Sequence, residues 1–394
     1  MTTVSGSIYG SDNVHTLNQL ASLRFGVDHI SSSSTKHVVH NPSGDIITFT
    51  GSGFAYDDDD TPIGGQVTQI QVLSSGSTSP TTLSGFNLHF EHLINDFAAD
   101  NISDLETLFF GGNDTFTSHA TPSSNPAHLH QNHFEGFAGN DTFNMQTSEG
   151  DDTLLGDAGN DTFNFGGAFT AKEKIDGGSG TDTANLSGNY ASGVTFTATT
   201  MVNVEKIVLA AGHDYKLTTN NATVAAGKTL TIDGSALSTS NVLTFSGAAE
   251  TNGHFIIIGG KGGDKLTGGA LSDTFTYTSA SQSTGTHYDT ITGFKFGTDN
   301  FDIPGGAGVI TGINTKVTSG ALSTATFDAN LASAISSSRL GAHHAVLFTP
   351  MNGTLSGATF LVVDLNGMAG YQSGADLVIR MNGSSGTLAA GGFH

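Results

Sequence analysis

The 394-residue sequence has no cysteine and no tryptophan, and only 13 Lys and Arg against 35 Asp and Glu. Without cysteine there is no disulfide and no thiol catalysis. The scarcity of bases excludes nucleic-acid binding, because a duplex has to be neutralised by Lys and Arg. It equally excludes an electrostatic hold on an anionic membrane. No apolar run approaches the ~20 residues of a membrane-spanning helix; the longest, around 255–258 and 360–363, are strand-sized. The start, Met1-Thr-Thr-Val-Ser-Gly-Ser-Ile-Tyr-Gly10, has neither the basic nor the apolar region of a secretory signal. The chain is therefore expected either to be cytosolic or to leave the cell by a route that needs no such signal.

Charged residues make up only 12 % of the chain, so the net charge of −22 reflects missing bases among Gly, Ser, Thr and Asn rather than a dense surface of acids. Glycine, at 53 residues, is nearly twice as common as usual. Disorder is the first expectation for such a composition, but 26 phenylalanines at ordered intervals and 36 % hydrophobic residues can build a core. Helical periodicity is confined to 11–23, 100–108 and 326–336. Elsewhere short runs alternate β-branched or aromatic with polar residues between Gly, Asn and Asp, which predicts strands, for example at 67–73, 228–232, 241–245, 358–363 and 377–381.

One phrase recurs: Gly139-Asn-Asp-Thr-Phe143, Gly150-Asp-Asp-Thr-Leu154, Gly159-Asn-Asp-Thr-Phe163, Gly180-Thr-Asp-Thr-Ala184, Gly263-Asp-Lys-Leu266 and Asp273-Thr-Phe275, with Gly112-Asn-Asp-Thr-Phe116 as an outlying copy. Asp152 to Asp161 and Asp264 to Asp273 are each nine residues. The fullest copies begin at Gly177 and Gly259 and fit the nonapeptide Gly-Gly-x-Gly-x-Asp-x-apolar-x of calcium-binding β-helices. Six residues make a turn whose glycines adopt angles closed to other residues, leaving carbonyls and the Asp carboxylate pointing outward. Three make a short strand with one inward side chain: Phe143, Leu154, Phe163, Ala184, Leu266 and Phe275. Two nonapeptides complete a coil, so alternate turns stack, and a hard cation taking six to eight oxygens at ~2.3–2.6 Å suits the space between them. Asp141 with Asp161, 20 apart, and Asp161 with Asp182, 21 apart, are the expected pairs.

In these repeats the chain resembles the RTX (repeats-in-toxin) family of secreted proteins. The resemblance covers about 111–185 and 259–303. It implies an all-β fold: a parallel β-roll or β-helix solenoid with calcium-binding turns, flanked by smaller β-rich modules. The expected divisions are an N-terminal module at 1–110, a first repeat block at 111–185, a metal-poor β-helical stretch at 186–258, a second block with terminator at 259–303, and a C-terminal module at 304–394. The calcium ligands it implies are Gly139, Asn140, Asp141, Asp151, Asp152, Gly159, Asn160, Asp161, Gly178, Gly180 and Asp182 in the first block, and Gly260, Gly262, Asp264, Asp273 and Asp289 in the second. Asp264 and Asp273 fall on opposite edges, so each needs a further ligand, with Glu250 or Asn252 upstream and Asp289 or Asp302 downstream as candidates. Asp289-Thr-Ile-Thr-Gly-Phe294 with the segment from Gly297 to Ile303 is similar to a roll terminator, and Asp364 to Ile379 to a C-terminal export region. Thr50-Gly-Ser-Gly-Phe-Ala-Tyr56 with Gly64 and Gly65 resembles a hairpin module that precedes such repeats. Export through a type I system of a Gram-negative cell is the implied route.

Catalytic motifs do not stand out. His89-Phe-Glu-His92 has the wrong spacing for a helical zinc site, and no Gly-x-Ser-x-Gly nucleophile turn occurs. A paired-carboxylate glycosidase leaves no local motif, but no tryptophan offers a sugar platform, and no enzyme activity is expected. His119, His128, His130 and His133 form either a transition-metal loop or a polar insertion. His343-His344 reads as structural, and the acids at 57–60 as a solvated hairpin tip. The expected function is a calcium-folded structural protein of the cell surface or matrix (surface layer, filament or biofilm) that self-associates. The alternatives are an adhesin binding carbohydrate or ice, and a polysaccharide-active enzyme.

Overall fold

A computed structural model describes residues 3–6, 28–57, 62–73, 75, 80–90, 111–118, 132–146 and 151–394. The fold is all-β, with parallel solenoid coils between Thr115 and Asp302 and antiparallel strands on either side in sequence. The α-helix Phe327–Ala334 falls within the expected 326–336. The helices expected at 11–23 and 100–108, the acids at 58–60 and three of the clustered histidines lie outside the described residues. No helix among the described residues is long and apolar enough to cross a membrane. The chain divides into two compact units, Met1–Asn185 with Thr199–Val204, and Leu186–Ala198 with Glu205–His394.

The first unit opens with an antiparallel meander of Asp28–Ser32, Lys36–His40, Ile46–Tyr56, Pro62–Leu73 and Thr81–His89. Period-two alternation buries Ile47, Phe49, Val67, Ile70, Val72 and Leu83. The expected hairpin is present, since Gly51 and Ala55 pair with Val67 and Gly64. Thr3–Gly6 joins meander to roll, pairing antiparallel with Thr81–His89 and parallel with Thr115–Ser118. From there the chain alternates between two parallel ladders. One holds Thr115–Ser118, Thr142–Met145 and Thr162–Phe165. The other holds His133–Glu135, Thr153–Leu155, Lys174–Asp176 and Met201–Val202.

The three-residue strands send one apolar side chain inward and longer ones up to two, such as Phe143 with Met145 and Phe163 with Phe165, and parallel register stacks them in columns. Phe116, Phe143 and Phe163 lie ring on ring, with centroids 4.9 and 4.7 Å apart and interplanar angles of 14° and 11°. Phe134, Leu154 and Ile175 face them, all at most 1 % exposed. A column of identical large side chains fills a narrow roll, and that is why the phenylalanines recur at coil spacing.

The second unit repeats the coil with other residues. Lys206–Leu209, Thr229–Asp233, His254–Ile258, Thr274–Thr276 and Asn300–Asp302 form one ladder, whose inward column is Ile207, Ile232, Ile257, Phe275 and Phe301. Tyr190–Thr195, Tyr215–Thr218, Leu243–Ser246, Lys265–Thr267 and Asp289–Thr292 form the other. Asp289–Thr292 then pairs in parallel with Leu377–Asn382, which continues antiparallel into Thr359–Val363 and His344–Phe348. The helix Phe327–Ala334 covers this sheet, packing Phe327 and Leu331 among Phe348, Phe360 and Tyr371. The strands expected at 228–232, 241–245, 358–363 and 377–381 are present within a residue or two at each end.

Candidate metal-binding turns

In the first unit the repeat turns stack coil upon coil. Asp141 Oδ1 accepts the Asp114 N–H, Asp161 Oδ1 the Asp141 N–H, and Asp182 Oδ1 the Asp161 N–H, each at 2.7 Å. The carboxylates therefore do not point outward as the repeat alone suggests. They are buried, with Asp141 and Asp161 1 % exposed and Asp182 0 %. The reason is that backbone N–H groups at the coil edge would otherwise lack acceptors. A second, exposed rail runs beside them: Asn113 Oδ1 accepts the Asn140 N–H, Asn140 Oδ1 the Asn160 N–H, and Asn160 Oδ1 the Thr181 N–H.

The glycines set the spacing between these turns. Gly139, Gly159 and Gly180 have φ of +131°, +154° and +147°, and a Cβ on any of them would strike the carbonyl of Gly112, Gly139 or Gly159 below. Phe137, Asp157 and Gly178, two residues before each, also have positive φ.

One oxygen of each central acid remains open. Asp141 Oδ2 and Asp161 Oδ2 are buried and accept no hydrogen bond among the described residues. Each faces a small cradle. Beside the α-carbon of Gly136 lie Asp141 Oδ2 and Gly156 O; beside that of Gly156 lie Asp161 Oδ2 and Gly177 O; beside that of Gly177 lie Asp182 Oδ2 and Asn203 O. A methyl group would fill each cradle. Burial, and then the charges of Asp161, Asp114 and Asp157, push Asp141 up to about 8 despite the lowering bond from Asp114 N–H. Burial likewise pushes Asp161 up to about 6. Among the described residues no three His, Asp or Glu side chains converge as a metal cluster. The donors are single carboxylates with carbonyls between coils, an all-oxygen set that suits a hard divalent cation and not a softer metal.

The opposite edge of this unit is mixed. Asp152 Oδ1 accepts both the backbone N–H and the side-chain amide of Asn132, at 2.8 and 2.9 Å. Its coil neighbour Glu173 accepts from Thr170. Asp151 is a surface residue, 3.3 Å from the Lys172 ammonium. His133, the described member of the histidine cluster, is 3.2 Å from Glu135.

The second block has the same motif in a different conformation. Gly260 and Gly262 are not in the left-handed region that their counterparts Gly178 and Gly180 adopt. Asp264 Oδ1 accepts the Leu243 N–H and Oδ2 the Gly260 N–H. Asp273 accepts from Phe255 and Gly269, and Asp289 from Asp264 N–H and the Tyr277 hydroxyl. The carbonyls of Gly269 and Ala270 receive the Lys295 ammonium, at 3.1 and 2.7 Å. Asp264 does come together with Asp289, and Asp273 with Asp299 rather than Asp302. Glu250 is buried, with Oε1 accepting three backbone N–H groups. Asn252 donates its backbone N–H to Glu250 Oε1, at 2.9 Å.

Every oxygen of Asp264, Asp273 and Asp289 thus has a donor from the chain itself, and these residues do not fit a calcium site as Asp141 and Asp161 do. The cause lies in the coil beneath. The turn of Gly260 and Gly262 stacks on the loop of Leu237 and Asn241, whose side chain and carbonyl take the place of a second glycine turn.

Parallel coils, stacked Gly-Asp turns and open oxygens between them define an RTX-type calcium-binding β-roll. Residues 131–317, a little under half of the 394-residue chain, match the family model Peptidase M10 serralysin C terminal. This region is a serralysin-type C-terminal β-roll, a domain typical of proteins exported by type I secretion. No curated protein matches the chain.

The ligands that the repeats imply leave out Asp114, although its Gly112-Asn-Asp-Thr-Phe116 copy is visible, and the cradle glycines Gly136, Gly156 and Gly177. Asp114 is 27 residues from Asp141 because an insertion separates them, while the glycines share one signal, a position five residues before each Asp. Gly156→Ala places a methyl 2.6 Å from Gly177 O and against the open oxygen of Asp161, at a position without positive φ. Calorimetric calcium titration of this variant is expected to show a lost site. Unchanged stoichiometry and affinity would contradict the cradle assignment.

Proposed function

We propose that the chain is a secreted, calcium-folded structural protein of a Gram-negative cell surface or extracellular matrix, without catalytic activity, that self-associates once outside the cell. The observation that supports it is the pair of stacked buried acids, Asp141 and Asp161, whose open oxygens no group among the described residues fills. Bound calcium would supply positive charge and oxygen affinity there. The chain's part is to bring Asp141, Asp161 and the carbonyls of Gly156 and Gly177 into one line and to exclude water from them. In a medium poor in calcium the like charges repel and the glycine turns keep their entropy. In one rich in it the coils close.

Support for association comes from the strand Asp28–Ser32, which pairs among the described residues only with Lys36–His40 and leaves Ile30 47 % exposed. An open strand edge of this kind is a template for another chain. Purified protein is expected to melt far higher with calcium than with chelator, and to form ordered polymers visible by electron microscopy when calcium is added. A melt indifferent to chelator would overturn the folding role, and a strict monomer at high concentration the assembly role.

One observation favours a second reading, a ligand-binding adhesin or ice binder. Thr115, Thr142 and Thr162 stand in exact register on the outer face of one ladder. Beside them Asn144, Asn164 and Asn185 are linked amide to amide at 2.9 and 2.8 Å. Ice-recrystallisation and glycan-array assays separate this reading from the first.

A further inference from the structure

A second pair of buried acids lies outside the repeats. Asp364 directly follows the strand Thr359–Val363, and Asp376 directly precedes Leu377–Asn382. Because Val363 and Leu377 are paired across these antiparallel strands, the loop between them leaves and returns at one place. Both acids are 0 % exposed. Asp364 is held firmly: Oδ1 accepts the N–H groups of Asn366 and Gly367, at 3.1 and 2.8 Å, and Oδ2 that of His343 at 2.9 Å. Asp376 Oδ2 accepts the Gln372 N–H at 2.7 Å, but among the described residues its Oδ1 is buried and receives no hydrogen bond. No ion pair compensates either carboxylate among the described residues. Burial, and then the charge and contact of the Asp364 carboxyl, push Asp376 up to about 7 against the lowering effect of the Gln372 and Leu365 N–H groups.

Two carboxylates taken out of water side by side need a positive charge between them. The open Asp376 oxygen marks where it would sit. We propose that Asp364 and Asp376 hold a divalent cation of the calcium type, which fastens the 364–376 loop to the backbone of His343. The site is separate from the turns of the first unit and does not depend on their binding calcium. Oxygen donors on fixed backbone supports favour a hard cation. The amides of Asn366 and Gly367 hold Asp364 in place, so the site is built before the ion arrives.

The test uses the full chain with calcium as the probe. Native mass spectrometry of Asp376→Asn, in which the amide can bond to Asp364 in place of a cation, is expected to show one calcium fewer per chain than the wild type. Equal stoichiometry would overturn the proposal. A second measurement stands even if that variant folds poorly. In an Asp161→Asn background, which disables roll turns in the other unit, the amides of Asn366, Gly367 and Gln372 are expected to gain hydrogen-exchange protection as calcium is added. Amides indifferent to calcium would show that the two carboxyls share a proton instead, and would overturn the site while leaving the reading of the roll intact.

Discussion

Replacing Asp161 by Asn is expected to remove most of the calcium-induced stabilisation of the first unit while leaving its metal-free melt unchanged or slightly raised. Asp161 stands between two coils, its Oδ1 on the Asp141 N–H and its Oδ2 open beside Gly177 O. Asparagine keeps the first contact, because its carbonyl can take the Oδ1 position. It loses the charge and the open oxygen, and so weakens the turn on either side. Each site occupied at 100-fold excess over its Kd stabilises by about 2.7 kcal/mol, so two sites amount to about 5 kcal/mol. In a unit of this size that is a drop of roughly 10–20 °C in the calcium-loaded Tm. Asp264→Asn is the contrast. There both oxygens accept backbone N–H groups, so an amide nitrogen would meet a donor. The expected loss is about 1–3 kcal/mol with and without calcium alike. Calorimetric melts of the two variants in calcium and in chelator check both. Equal calcium dependence in the two would refute the division between the blocks.

The metal-free protein is expected to be most stable in mild acid and to weaken as pH rises from about 4 to 8, with calcium reversing the trend in the first unit. Asp141 is raised from 3.8 to about 8 and Asp161 to about 6, chiefly by burial. A carboxyl whose folded pKa lies above its unfolded value binds its proton more tightly when folded. Its contribution is therefore complete below the unfolded pKa and is lost as pH rises through the folded one. The window runs through about 6 for Asp161 and about 8 for Asp141. Each unit of displacement corresponds to ~1.4 kcal/mol, so buried acids of this kind set the direction of the metal-free pH profile. Calcium binds the ionised form, and saturating calcium turns the same residues into a stabilising pair as pH rises. Asp264 and Asp273, also raised to about 6 by burial, have no open oxygen to give a cation. Asp264 and Asp273 are then expected to cost the second unit stability over the same range even in calcium. Thermal melts across pH, with calcium and with chelator, decide the matter. A metal-free Tm that rises steadily from pH 4 to 8 would sink this account.

Much of the fold is written locally. Asp-Thr-Phe and Asp-Thr-Leu after a glycine turn give a strand with one inward side chain, and Phe143, Leu154, Phe163 and Leu266 are buried as that pattern expects. The distance of 20 between Asp141 and Asp161 is the coil length, and it stacks the two acids in adjacent coils. The outlying Gly112-Asn-Asp-Thr-Phe116 joins the same column, with Phe116 stacked on Phe143. The spacing hides this, because the insertion after Ser118 lengthens the coil without changing its register.

By itself the sequence determined the repeating unit: which residues turn, which point inward, and which carry the oxygen that a cation would need. A single nonapeptide holds that information, because glycine's backbone freedom and the alternation of a strand act over a few residues. Only the tertiary structure decided which turns keep an oxygen open. Gly177 to Asp182 and Gly259 to Asp264 carry one motif, yet the first rests on another glycine turn and the second on Leu237 and Asn241. A cation site between coils belongs to two turns at once, and the nature of the lower one is set by a segment some twenty residues away.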